Sequence, residues 1–271
     1  VKLIFSRKGF DAGYGGVPSP IFPDRSILSL PIPAKKEKTS FADMTFGALS
    51  VGDLVEQLSG GKILGTDTAH LDPDLNRDLI ERGPSWVPAF GQAHNAQSHL
   101  ANQKVGKGDL FLFYGWFREV EQKEGKWRYR RGARDLHVIF GWLRVDEVVE
   151  VGRDPESAIQ KHPGLEGHPH CYGNEFYTNN TVYTGSDAGT FETVSERHIL
   201  THPNETRSIW RLPRAFCPDD KTPMTFHKDH RRWIIEDDEH VRLKTVPKGQ
   251  EFVLNLEVYP EVHEWVAGVL G

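Results

Sequence analysis

The chain of 271 residues carries a formal charge of −5, which argues against coating nucleic acid by bulk electrostatics but leaves room for a local basic groove. Seven Trp, seven Tyr and fifteen Phe favour a folded globular protein over a disordered one, and two cysteines, Cys171 and Cys217, give no disulfide framework and fit a reducing compartment. No apolar run approaches about 18 residues and no charged-then-apolar leader opens the sequence, so the expectation is a cytoplasmic protein with no membrane span.

Residues 3–5 read as a short apolar strand running into a loop that bears Arg7, Lys8 and Asp11. Gly13, Gly15 and Gly16 then allow positive φ and close backbone approach. Residues 27–30 read as a returning strand and 34–40 as a polar linker. A helix start is expected at Phe41 and an amphipathic turn or two over 51–58. Residues 75–82 are expected to be helical, stopped by Gly83-Pro84, and 92–102 to form a helix with a polar face. The strongest signal is the apolar, aromatic run 110–120, framed by Gly106 and Gly108, which reads as a buried strand. A hairpin tip is expected around Gly125, and residues 136–151 return as a second long strand, antiparallel to the first. A short helix opens at Asp154, residues 161–174 are loop, and 179–183 and 191–194 are short strand candidates. Residues 209–216 read as irregular, 249–257 as a strand and 262–270 as a closing helix. With no repeat and no linker, the reading is one α+β domain over residues 1–271, a central, mostly antiparallel mixed sheet with peripheral short helices and a basic hairpin insertion at about 118–135.

Four groups of residues carry chemistry. His70, Asp72 and Asp74 stand at alternate positions, so in an extended chain they share a face and could hold a divalent metal or move a proton. The competing reading is a capped helix start, with Asp72 as N-cap and Pro73 at the first helical position. Arg7, Lys8 and Asp11, with Gly15 and Gly16, could form a nucleotide or phosphate site, although the spacing of neither a P-loop nor a dinucleotide fingerprint is present; the competing reading is a solvated glycine loop. His162, His168, His170 and Cys171 are the densest run of soft ligands, in an unfamiliar H-x5-H-x-H-C spacing that a Pro-Gly loop also collects freely. Trp127, Arg128, Arg130 and Arg131 make a basic, aromatic hairpin suited to nucleic-acid contact, or an ordinary solvated one. A second basic-aromatic stretch, Arg207, Trp210, Arg211 and Arg214, repeats the theme. A divalent metal is the one cofactor these residues leave open, with no ion named.

SRKGFDAGYGGVPSPIFPD, LSLPIP, AHLDPDL, GDLFLFYGWFR and GQEFV occur in that order between Ser6 and Val253. Together they resemble the nucleotide-modification-associated domain of the third type, a bacterial and phage family of largely unknown biochemistry. The GD-then-apolar-strand pattern at Gly108-Asp109, with RVDEVVEV after the second strand, is more weakly similar to PUA-like domains of the ASCH and EVE kinds. The first resemblance implies a role in nucleotide or DNA modification; the second implies a partial barrel holding a nucleotide or modified base. Two functions follow. One is a pocket protein for a nucleotide or modified base, with hydrolase or transferase chemistry at His70 with Asp72 or Asp74. The other is a non-catalytic reader or adaptor of modified DNA or RNA, bound through the basic hairpin.

Overall fold

A computed structural model describes residues 1–172, 177–247 and 251–271. At its centre the strand Leu110–Lys123 pairs with Lys2–Arg7 in parallel and with Leu136–Arg144 antiparallel. Glu251–Asn255 closes one side against Lys2–Arg7, and Ala188–Thr190 the other against Leu136–Arg144. The result is α+β, with a mixed sheet, smaller sheets around it and no barrel closed among the described residues. Gly249 and Gln250, the first residues of the expected late strand, lie outside the described residues.

The central run is apolar from Leu110 to Phe117 because both faces of the sheet are covered there. Leu3, Phe5, Leu110, Leu112 and Tyr114 pack on one side against Trp210, Leu212, Val241 and the closing helix Val262–Leu270. Ile4, Phe111, Phe113 and Phe117 pack on the other against Phe90, Tyr183 and Leu100. The first face is covered by the sheet Ile209–Pro213, His240–Lys244 and Trp233–Ile235. The second is covered by the sheet Ala89–Gln92, Thr181–Thr184 and Glu147–Glu150, with the helix His94–Asn102.

The glycine-rich loop is an excursion from this sheet. Lys2–Arg7 and Ser19–Ile21 both run parallel to the central strand, meeting it at Leu110 to Tyr114 and then at Phe117 to Glu119. The chain leaves after Arg7 and rejoins the same edge at Ser19. Gly115 makes this fit: a Cβ there would stand 2.8 Å from the Lys8 carbonyl oxygen.

Local signals were legible. The helix Val51–Ser59 starts at Ser50, whose side chain accepts from Asp53 N at 3.2 Å, and ends at Gly60 with φ 64°. Pro155–Lys161 begins behind Asp154, which caps Ser157 N at 3.0 Å. Glu124 and Gly125 both take positive φ, the turn that a two-residue hairpin needs. Residues 75–82 are not helical. Asp74 instead bridges Ala89 and holds Arg82 and, at 2.9 Å, the Trp86 indole N–H, so the segment folds around a buried carboxylate. Asp72 caps no helix. Residues 191–194 are also not a strand: Phe191 stacks on His198, 4.0 Å between ring centres.

Candidate functional site

Two segments a hundred residues apart meet beside the strand Ala89–Gln92. His70 lies on the two-residue strand Ala69–His70, paired with Ile32–Pro33. Asp72 follows it, buried. From the other side the short turn Pro169–Cys171 packs on Ala89–Gln92 and brings in His168 and His170. One donor atom from each of His70, Asp72 and His170 lies within 4.8 Å of the other two. These are the residues that could hold a metal.

Each member is fixed by a partner. The Asp72 carboxylate accepts the Gly91 N–H at 2.6 Å. His70 Nδ1 stands 2.7 Å from Glu37 Oε1, and the Tyr172 hydroxyl donates to the other oxygen of Glu37. His170 Nδ1 stands 2.6 Å from Asn180 Oδ1, while Asn180 Nδ2 donates to the His170 carbonyl at 2.8 Å. Carboxylate and carbonyl oxygens only accept, so both Nδ1 atoms carry the proton and both Nε2 atoms keep a lone pair in the neutral ring. Gly91 also makes the room: a Cβ there would lie 2.2 Å from the His170 ring.

Burial pushes the Asp72 carboxyl towards neutrality, but His168, His170 and Lys8 outweigh it and hold the group well below the usual carboxylate range. Burial lowers the His170 imidazole to about 4, so it is neutral at pH 7. Burial likewise opposes ionisation of Glu37, yet its bonds to His70 and Tyr172 keep its value below the ordinary one. His168 takes the His170 backbone N–H on its Nδ1 at 3.2 Å, which leaves the proton on Nε2. That Nε2 is buried, has no hydrogen-bond partner, and faces Asp72 Oδ1 at 3.5 Å, too far for a good bond.

The other candidates divide. Asp74 stands apart, both its oxygens taken by Arg82 and Trp86. Cys171 points into an apolar cluster with Ala89, Val149 and Val182, where burial pushes its thiol up to about 12. His162 pairs with Glu147 at 3.3 Å, away from the cluster. Lys8 joins the Asp72 side: it lies over the Phe90 ring, 4.3 Å from its centre, and pairs with buried Glu251 at 3.4 Å. Gly9 and Asp72 line one small cavity of about 40 Å³. Arg7, Asp11 and Gly13 line a different cavity of about 730 Å³ with Tyr114, His137 and Arg207. Asp11 is spent within the loop, accepting from Gly13 N and Tyr14 N at 2.7 and 2.8 Å. Gly15 packs against the Phe10 ring, and nothing stands within 4 Å of a Cβ built on Gly16.

On the hairpin, Trp127 turns inward onto Phe22, 5.0 Å between ring centres, while Arg128 and Arg130 point out and pair with Glu121 and Glu119. Arg131 is exposed. The two basic stretches do meet: Arg130, Arg134 and Arg211 line a cavity of about 660 Å³, and Arg134 also borders the Arg7 cavity. Glu37, Gly91, Tyr172 and Asn180 were missed. Tyr172 directly follows the His168–Cys171 run but acts on Glu37, 135 residues away, and Glu37, Gly91 and Asn180 lie in no motif that flags them.

A family model for nucleotide modification associated domain 3 matches residues 2–255. No curated protein and no solved structure matches the chain.

Proposed function

The chain thus belongs to the nucleotide modification associated domain 3 family, and from that premise we propose that it binds a nucleotide or modified base beside His70, Asp72 and His170 and carries out group transfer or hydrolysis on it. One observation carries the reading: the His70–Asp72 segment, the His168–His170 turn and the base of the glycine loop converge, with oriented imidazoles and an ionised carboxylate. Oriented imidazoles beside a fixed carboxylate are suited to proton transfer or metal-assisted chemistry. The Lys8 ammonium supplies positive charge for a phosphate or a developing oxyanion.

A second reading has its own observation. The cavities that share Arg134 gather arginines from both basic stretches and suit a non-catalytic contact with nucleic acid. Equilibrium binding of a panel of nucleotides and modified bases separates the two. Under the first reading His70→Ala weakens nucleotide binding about tenfold or more, a loss of about 1.4 kcal/mol, and Arg134→Ala leaves it unchanged. The opposite pattern favours the second reading; a wild-type protein that binds none of the panel ends the first.

A further inference from the structure

We propose that His70, Asp72 and His170 bind one divalent transition-metal ion; the proposal deepens the nucleotide reading by naming the cofactor of that same site. The first ground is geometric. Three donors from two segments lie within 4.8 Å of one another. Metal–nitrogen and metal–oxygen bonds of about 2.0–2.2 Å require only that this ring contract by a small side-chain rotation.

The second ground is orientation. A metal-bound histidine needs its free nitrogen directed at the ion and its other N–H held by an oxygen. Both histidines meet the second part of that condition, His70 through Glu37 and His170 through Asn180, and this leaves each Nε2 free for an ion. The Asn180 amide settles the His170 tautomer without reference to any metal, because the same amide donates to the His170 carbonyl and so presents its oxygen to Nδ1. A proton-relay site has no need for two rings each locked through Nδ1 beside one carboxylate.

The third ground is a neighbour of the donors. His168 Nε2–H is buried, 3% of the residue being exposed, and the acceptor it faces, Asp72 Oδ1 at 3.5 Å, is too distant for a good bond. A buried donor without a good partner destabilises the fold. An oxygen ligand on an ion bound next to Asp72 gives it one.

The donor set decides the class of ion. Two imidazoles and one carboxylate suit zinc, iron, cobalt or nickel, whereas magnesium and calcium prefer oxygen ligands alone. Three protein ligands leave positions open for water or for an oxygen of the bound nucleotide.

The test uses the full chain stripped with a chelator and titrated with Co²⁺, without nucleotide. One equivalent is expected to bind with a visible absorption band and to raise the melting temperature, with millimolar Mg²⁺ not competing. His70→Ala, at a partly exposed position that least threatens the fold, and His170→Ala each lower Co²⁺ affinity by more than about 100-fold. Asn180→Ala keeps all three donors and lowers it by about 10–100-fold. Gly91→Ala, which drives a methyl into the His170 ring, acts in the same direction. Absence of stoichiometric Co²⁺ binding, or binding that survives both histidine changes in folded protein, overturns the proposal. Nucleotide binding measured on the same samples keeps the two readings apart: Co²⁺ bound without nucleotide leaves the metal site standing and removes the nucleotide reading, and the reverse removes the metal site.

Discussion

His137 shows how far one imidazole's role is set by its surroundings. It lies buried at the floor of the Arg7 cavity, where its Nδ1 accepts the Trp210 indole N–H at 3.0 Å. Burial, reinforced by Arg207 and Arg7, lowers it from 6.5 to about 3. The unfolded chain therefore takes up a proton between those values that the folded chain refuses. This contribution to stability is complete above pH 6.5 and is lost on acidification, by about 1.4 kcal/mol per pH unit, until the folded value is reached. His227, lowered by burial to about 4, acts with the same sign over a narrower window. His137→Gln keeps an acceptor for Trp210 and removes one of these two protons. Urea unfolding of both proteins across this range is expected to give a slope with pH that is shallower in the variant by about one proton. Equal slopes would mean that His137 is charged in the fold.

At the scale of elements, what the sequence discloses depends on whether the cause is local. Ser50 and Gly60 bound a helix from within a few residues, Glu124 and Gly125 make a turn by themselves, and the run from Leu110 announces a strand covered on both faces. Residues 75–82 have helix-forming composition, but Asp74 needs Arg82 and Trp86, and that pairing is visible only in three dimensions. The candidate site follows the same rule. His70 with Asp72, and His168 with His170, each stand out as a local pattern; that Gly91 and Asn180 bring the two together is not written near either. The hairpin combines both cases. Its alternation puts Trp127 and Tyr129 inward and the arginines outward, yet the cross-strand glutamates that neutralise Arg128 and Arg130 depend on register. Exposed pairs of this kind contribute about 0–1 kcal/mol. Arg128→Ala is thus expected to leave the denaturation midpoint nearly unchanged. Trp127→Ala, which removes a ring packed on Phe22 and part of an apolar cluster, is expected to cost about 2–3 kcal/mol. A larger loss from the arginine than from the tryptophan in chemical denaturation would show that the pair, and not the ring, holds the hairpin down.

For the whole molecule the central sheet acts as a partition. Successive residues of a strand point to opposite faces, and the end of the first strand sends Arg7 to the cavity shared with His137 and Arg207 while Lys8 lies over Phe90 on the side of Asp72. One glycine loop thereby feeds two sites, and neighbouring cations should have separable effects. Lys8→Met is expected to weaken ligand binding at the histidine–aspartate cluster about tenfold, and Arg7→Met to leave it unchanged while reducing polyanion binding and its salt dependence. Stability complicates the first arm, because Lys8→Met strands the buried Glu251 carboxylate at a cost of about 3–5 kcal/mol. Lys8→Met combined with Glu251→Gln removes both charges and keeps a polar group for Gln92 and Ser6, the two side chains that now donate to Glu251. Thermal unfolding of the double variant should recover most of the lost stability, while its ligand affinity stays low if the Lys8 charge itself faces the ligand. Affinity that returns with stability would reduce Lys8 to a structural partner of Glu251 and leave the Asp72 site without a cation from the loop.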